Sequence, residues 1–188
     1  MTALRAVWIA AVLAAAASAQ AQDPAAALDK AKADLAAGKP VDAYLTLSNA
    51  LADLARRTPL FLTAAKFAQG PSRGYGQYDS RPHNVFTRGE TLRVYLEPAG
   101  FDHARQGELF HVSLACDYAI LGTDGKTVAA DRNVKEIEIA SRQANAELAV
   151  DLALPYLDLP PGDYALAVTV RDLVARDAAT ARLAFRVR

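Results

Sequence analysis

The chain has 188 residues, 52% of them hydrophobic, and its 21 Lys+Arg balance 21 Asp+Glu for a formal net charge of zero. That balance excludes the basic footprint of a nucleic-acid binder and of a polybasic membrane-surface protein. The hydrophobic share is far above that of a disordered chain, so one domain with a small appendage can bury a core.

The first segment, MTALRAVWIAAVLAAAASAQAQ, has the pattern of a secretory leader. Arg5 supplies the positive start, residues 6–17 are uncharged and apolar, and ASA followed by AQA fits the small-x-small cleavage rule. The apolar run is shorter than the ~20 residues a membrane-crossing helix needs. Residues 1–21 are assigned to a signal peptide cleaved near Ala19 or Ala21, with periplasmic or secreted location as the expectation. Export permits disulfides, yet the chain holds a single cysteine, Cys116, so no intrachain bridge can form.

Residues 22–58 predict two helices. Asp23 is a good N-cap with Pro24 at the first helical position, and Gly38 followed by Pro40 stops the first helix. In the second, Tyr44, Leu47, Leu51 and Leu54 recur at helical spacing and form one apolar stripe. Thr58-Pro59 ends it. A stripe of this kind must dock on the rest of the chain or on a partner.

After Pro59 the period changes from 3.6 to 2. Residues 59–83 predict a connector carrying one strand, LFLTAAKFA. Short strands then follow with turn signals and no helix between them. NVF, the turn TRGE and TLRVYLE come first, with Leu92, Val94 and Leu96 on one face. LFHVSLACDYAIL alternates strictly, which puts Cys116 in phase with Phe110, Val112, Leu114, Tyr118 and Ile120 as a small buried hydrophobe. TDGK is a strong hairpin turn. TVAAD and VKEIEIA are two shorter candidates, followed by AELAVDLAL, GDYALAVTVRD and TARLAFRVR. The last two place Tyr164, Leu166, Val168 and Val170, and Ala181, Leu183, Phe185 and Val187, on inward faces. The fold class expected is mainly β with an N-terminal α-hairpin, the β part being an antiparallel sandwich of about seven to nine strands over residues 84–188.

LPPGDY before an alternating strand resembles the tyrosine corner of immunoglobulin and fibronectin-type domains, as found in bacterial secreted Ig-like modules. The resemblance implies an Ig-like sandwich in which the Tyr164 hydroxyl returns to upstream backbone. The antibody-type Cys…Trp…Cys core is absent. The two helices resemble a single tetratricopeptide-type unit, which cannot bury its own face.

No catalytic or metal motif of any specificity occurs. Asp79, His83, Glu90 and Asp102 are the acids and histidine that a loop metal site would draw on, but solvated loop groups explain them as well. No catalytic residue, metal or cofactor is assigned. The best site candidate is GPSRGYGQYDSRPHNVF, residues 70–86, where Arg73, Tyr75, Tyr78, Arg81 and His83 offer aromatic faces and anion-binding cations. The competing reading is a buried wedge joining the helical hairpin to the sandwich. The expected function is an exported, non-catalytic interaction module whose partner is a protein of the envelope or a second copy. A small-ligand or glycan carrier binding at the helix–sandwich junction is the alternative, and an enzyme of unknown type the remaining one.

Overall fold

The computed structural model describes residues 23–154 and 158–188. The signal-peptide assignment therefore lies outside the described residues. The chain is mainly β, with two N-terminal helices and antiparallel sheets that curl into a half-barrel. Among the described residues no helix is long and apolar enough to cross a membrane.

Helix α1 spans Pro24–Ala36 and α2 spans Pro40–Ala55. The Asp23 carboxylate caps α1 by accepting from the Ala25 amide at 3.1 Å, and Gly38 turns the chain at φ +71°. The two helices pack through alanines: Ala27 and Ala31 of α1 and Ala43 and Ala50 of α2 are the buried residues of the hairpin. Small side chains permit this close approach and leave the larger apolar residues outside. Tyr44, Leu47, Leu51 and Leu54 are exposed, so the expected stripe does not dock on the rest of the chain.

Strand β1 (Phe61–Phe67) follows, and β2 is the short pair Val85–Phe86. They are followed by β3 (Leu92–Ala99), β4 (Ala104–Gln106), β5 (Leu109–Leu121) and β6 (Thr127–Ser141). Last come β7 (Val150–Leu154), β8 (Gly162–Asp172) and β9 (Asp177–Val187). One sheet has the order β1-β3-β7 and is antiparallel throughout. The other runs β2-β9-β8-β5-β4, with β6 also paired to β5, and among the described residues its one parallel pairing is β2 with β9. The inward residues of both sheets form one core. Leu92, Val94, Leu96, Val150, Leu152 and Leu154 come from the first, and Leu114, Cys116, Ile120, Leu166, Val168 and Val170 from the second. Phe67, Phe86 and Phe185 meet edge to face at 5.0 to 6.0 Å between ring centres.

Two sequence expectations are corrected, and one strand is added. TVAAD and VKEIEIA are one strand, β6, whose pairing to β5 shifts register opposite Asp117. Asn133 sits there at φ 53°, and its amide donates to Asp117 at 2.9 Å. The bulge absorbs the extra residues, so the strand continues where the pattern looked broken. Strand β9 begins at Asp177 rather than at Thr180, because a tight turn with Arg176 at φ 62° replaces the longer expected link. Strand β4 is too short to leave a pattern of its own.

Two polar devices hold the ends. Asp172 is 1% exposed and its carboxylate accepts from the amides of Asp102, Val174 and Ala175 at 2.7, 2.8 and 3.1 Å, which fixes two loops to the end of β8. The hairpin joins the sheets where Gly100, at φ +76°, passes so close to Pro59 that an added Cβ would lie 2.6 Å from its carbonyl oxygen. At the opposite end of β8, the Tyr164 hydroxyl donates to the Pro160 carbonyl at 2.8 Å while its ring stacks on Phe185. Tyr164→Phe keeps the ring and loses the bond. It should lower the unfolding free energy by about 1 kcal/mol, measured by urea denaturation.

Candidate functional site

The stretch after β1 is a small hairpin of its own. The Gln69 amide donates to Asp79 O at 3.0 Å and the Arg73 amide to Gln77 O at 2.8 Å, and the tip turns over Gly74–Gln77. Arg73 grips Asp79 with both guanidinium nitrogens, at 3.0 and 3.4 Å. Their hydrogen bond and mutual charge hold the Asp79 carboxyl below its usual range and raise Arg73.

This hairpin lies on β3 of its own sheet. Alternation sends Leu92, Val94 and Leu96 into the core, so Arg93, Tyr95 and Glu97 face outward. Tyr95 is nevertheless 1% exposed. The Tyr78 ring covers it, stacked at 4.0 Å and 14°. The Gly76 amide donates to the Tyr95 hydroxyl at 2.6 Å, and that hydroxyl donates to Glu97 Oε1 at 2.6 Å. Burial, with the bond to Glu97, pushes the Tyr95 phenol up to about 12. Beside it, Asp151 on β7 accepts from the Ser72 amide and from Arg93, both at 2.7 Å.

Arg81 sits at the return of the loop. It pairs with Glu90 at 2.7 Å, donates to His83 O at 3.1 Å and Val85 O at 2.9 Å, and lies 4.1 Å over the Phe86 ring. Glu90 also accepts from the Thr87 amide at 2.8 Å. Burial raises the Glu90 carboxyl, but the bonds from Thr87 and Arg81 outweigh it and leave the group below its usual range. Arg81, Glu90 and Arg93 line an open cleft of about 380 Å³ with Gln69 and Pro71.

The five sequence candidates therefore divide. Tyr78 and Arg81 are bound to the fold, Arg73 is paired within the loop, and Tyr75 and His83 are exposed. The wedge reading is corrected in its target. Tyr78 and Arg81 meet β3, β2 and the turn between them, while Tyr44, Leu47 and Leu51 stand exposed on α2. Tyr95 was missed as the anchor, and its signal was an aromatic on the outward phase of a strand with an acid two residues on. Asp102, once grouped with Asp79, His83 and Glu90, accepts instead from the His103 amide at 2.7 Å. Cys116 is fully buried, and burial pushes its thiol up to about 11.

A second surface lies on the helical hairpin. On α1, Leu28 and Leu35 fall about a quarter-turn from the buried alanines, and on α2 Tyr44, Leu47, Leu51 and Leu54 do the same in the same rotational sense. The helices are antiparallel, with Lys30 reaching Thr46 across them. Equal rotation in opposed helices brings both rows to one side, and all six residues there are exposed.

No family model matches the chain, and no curated protein does. Among solved structures it is similar to the sporulation control protein Spo0M of Bacillus subtilis (11% identity, TM-score 0.38, 70% of this chain and 50% of that one). It is also similar to the DNA glycosylase AlkC of Pseudomonas fluorescens (14%, 0.39, 89% and 43%). A third is CopC of Methylosinus trichosporium (18%, 0.32, 68% and 92%). The chain thus spans half or less of the first two. At these scores none of the three likenesses carries an argument about this chain.

Tyr95→Phe keeps the stack with Tyr78 but removes the hydroxyl that holds the loop tip. It should cost about 1–2 kcal/mol and speed amide exchange at Gly76, read by denaturation and hydrogen exchange. Glu90 gives a pH test. Its folded pKa lies below the unfolded one, so its contribution is complete above the ordinary glutamate range and is lost as pH falls through the depressed value. The Thr87 amide resonance should therefore move in acid, below about pH 4, and Glu90→Gln should abolish that movement.

Proposed function

We propose that this chain is an exported, non-catalytic interaction module of the bacterial periplasm or cell envelope, with its helical hairpin as the contact element. The observation that carries the reading is the hairpin's apolar face. Of the eight large apolar side chains exposed on the two helices, six stand together on one side, Tyr44 at 69% and Leu51 at 63% exposure, while Val41 and Leu45 lie on other faces. Single exposed apolar residues are ordinary, whereas a contiguous patch of several hundred Å² marks a place of association. The leader pattern of residues 1–21 supports export.

We further propose that the β part is an Ig-like sandwich. The parallel pairing of β2 with β9 and the tyrosine-corner bond of Tyr164 favour it. In this reading the sheets are a rigid base and the hairpin projects from it. A small-ligand or glycan site on the loop is favoured by one observation, Tyr75 at 42% exposure on a tip fixed by Tyr95. It ranks second because Arg73, Tyr78 and Arg81 are committed to partners inside the fold.

Expressed with its own leader, the chain should be recovered outside the cytoplasm with its first residue at Gln20 or Gln22, read by mass spectrometry. In a gently solubilised envelope fraction it should migrate above monomer mass, and Leu47→Lys with Leu51→Lys should return it to monomer mass. Cytoplasmic chain retaining Met1, or wild type at monomer mass, contradicts the reading.

A further inference from the structure

We propose that the apolar face of the hairpin is a homodimer interface, in which α1 and α2 meet the same pair of a second copy as a four-helix bundle. This rests on the interaction-module reading and names its partner.

Three features point to a second copy. The first is the order of the face. Along this one face of α2 the exposed apolar residues are spaced three, four and three apart, Tyr44, Leu47, Leu51 and Leu54, the same from either end, with Val41 and Leu45 exposed on other faces of the helix. A two-fold axis at the level of Asn49 then sets Leu47 against the partner's Leu51, and Tyr44 against the partner's Leu54. A two-fold interface requires such a self-matching patch. The Lys30–Thr46 contact sets the antiparallel register, so Leu28 lies level with the middle of the α2 row and Leu35 about a turn before its start, level with Val41. They widen the row into a two-helix face.

The second feature is charge. Within the α2 row the one ionisable group is the Tyr44 phenol at its end, while on α1 Lys32 stands between Leu28 and Leu35 and pairs with Asp29 at 3.2 Å. Nearby charges are already matched inside the chain, Lys30 with Asp34 at 2.6 Å and Arg56 with Asp53. The face makes no demand for an acidic or basic partner, and a copy of itself leaves no charge unpaired.

The third is area. The exposed surface of the six residues amounts to roughly 600 Å² per chain, against about 800 Å² per partner in a standard interface. The alanines and lysine stems between and around them supply the remainder. Burial of this kind matches the bundle packing of facing apolar helix rows. Nothing in the sheets competes for the face, since all six residues are exposed in the folded chain.

The test places a photo-crosslinking amino acid at Tyr44 or Leu51 in the otherwise native full chain, with Val128 on β6 as the control position. The expected result is an adduct at twice the monomer mass from positions 44 and 51, and none from 128. Sedimentation of the purified protein should give a dimer, and Leu47→Lys with Leu51→Lys should weaken it at least ~100-fold while preserving the helical circular dichroism. An adduct with a different protein overturns the second copy but retains the module reading. No adduct from either position overturns both. An adduct within one chain, to residues 1–22, overturns the dimer and the cleaved leader together. A dimer unaffected by the double substitution uses another surface and also overturns the proposal. Should that variant lose its helices, the crosslinks alone decide.

Discussion

The period of two in β3 is the constraint on which most of the molecule depends. One phase, Leu92, Val94 and Leu96, closes the core against the second sheet. The other phase, Arg93, Tyr95 and Glu97, would stand in water if nothing covered it. The loop of residues 70–86 covers it, with Tyr78 flat on Tyr95 and the Gly76 amide on its hydroxyl. Asp151 completes the arrangement by taking both Arg93 and the Ser72 amide. A slip of one residue in the pairing of β3 with β1 or β7 would reverse both faces at once. Core and loop are therefore two consequences of one register.

The sequence showed the phases well and the neighbours poorly. Alternation located Leu92, Val94, Leu96, Leu166, Val168 and Val170, because burial on one face is a property of the strand itself. It also located Cys116. The break at Asn133 misled, since a bulge interrupts the pattern without ending the strand. Among the site candidates, the residue types were legible and their commitments were not. Arg81 looked available for an anion, but Glu90, Phe86 and two carbonyls hold it. Those partners are set by how the loop returns from β1 to β2, which no local period encodes.

The hairpin shows the same limit in a different form. Helical spacing identified the row of Tyr44, Leu47, Leu51 and Leu54, and leucines of that kind ordinarily mark the buried side. Here the alanines are buried instead. Each alanine contributes little burial, so the pair of helices is weakly held by its own contact. What alanine provides is proximity, which flattens the pair and sets two larger rows side by side. An arrangement that spends its large side chains on the outer face is poorly stabilised as an isolated hairpin and well stabilised once that face is covered. Under the proposed self-association, stability and association become the same quantity for this part of the chain, and both would rise with protein concentration.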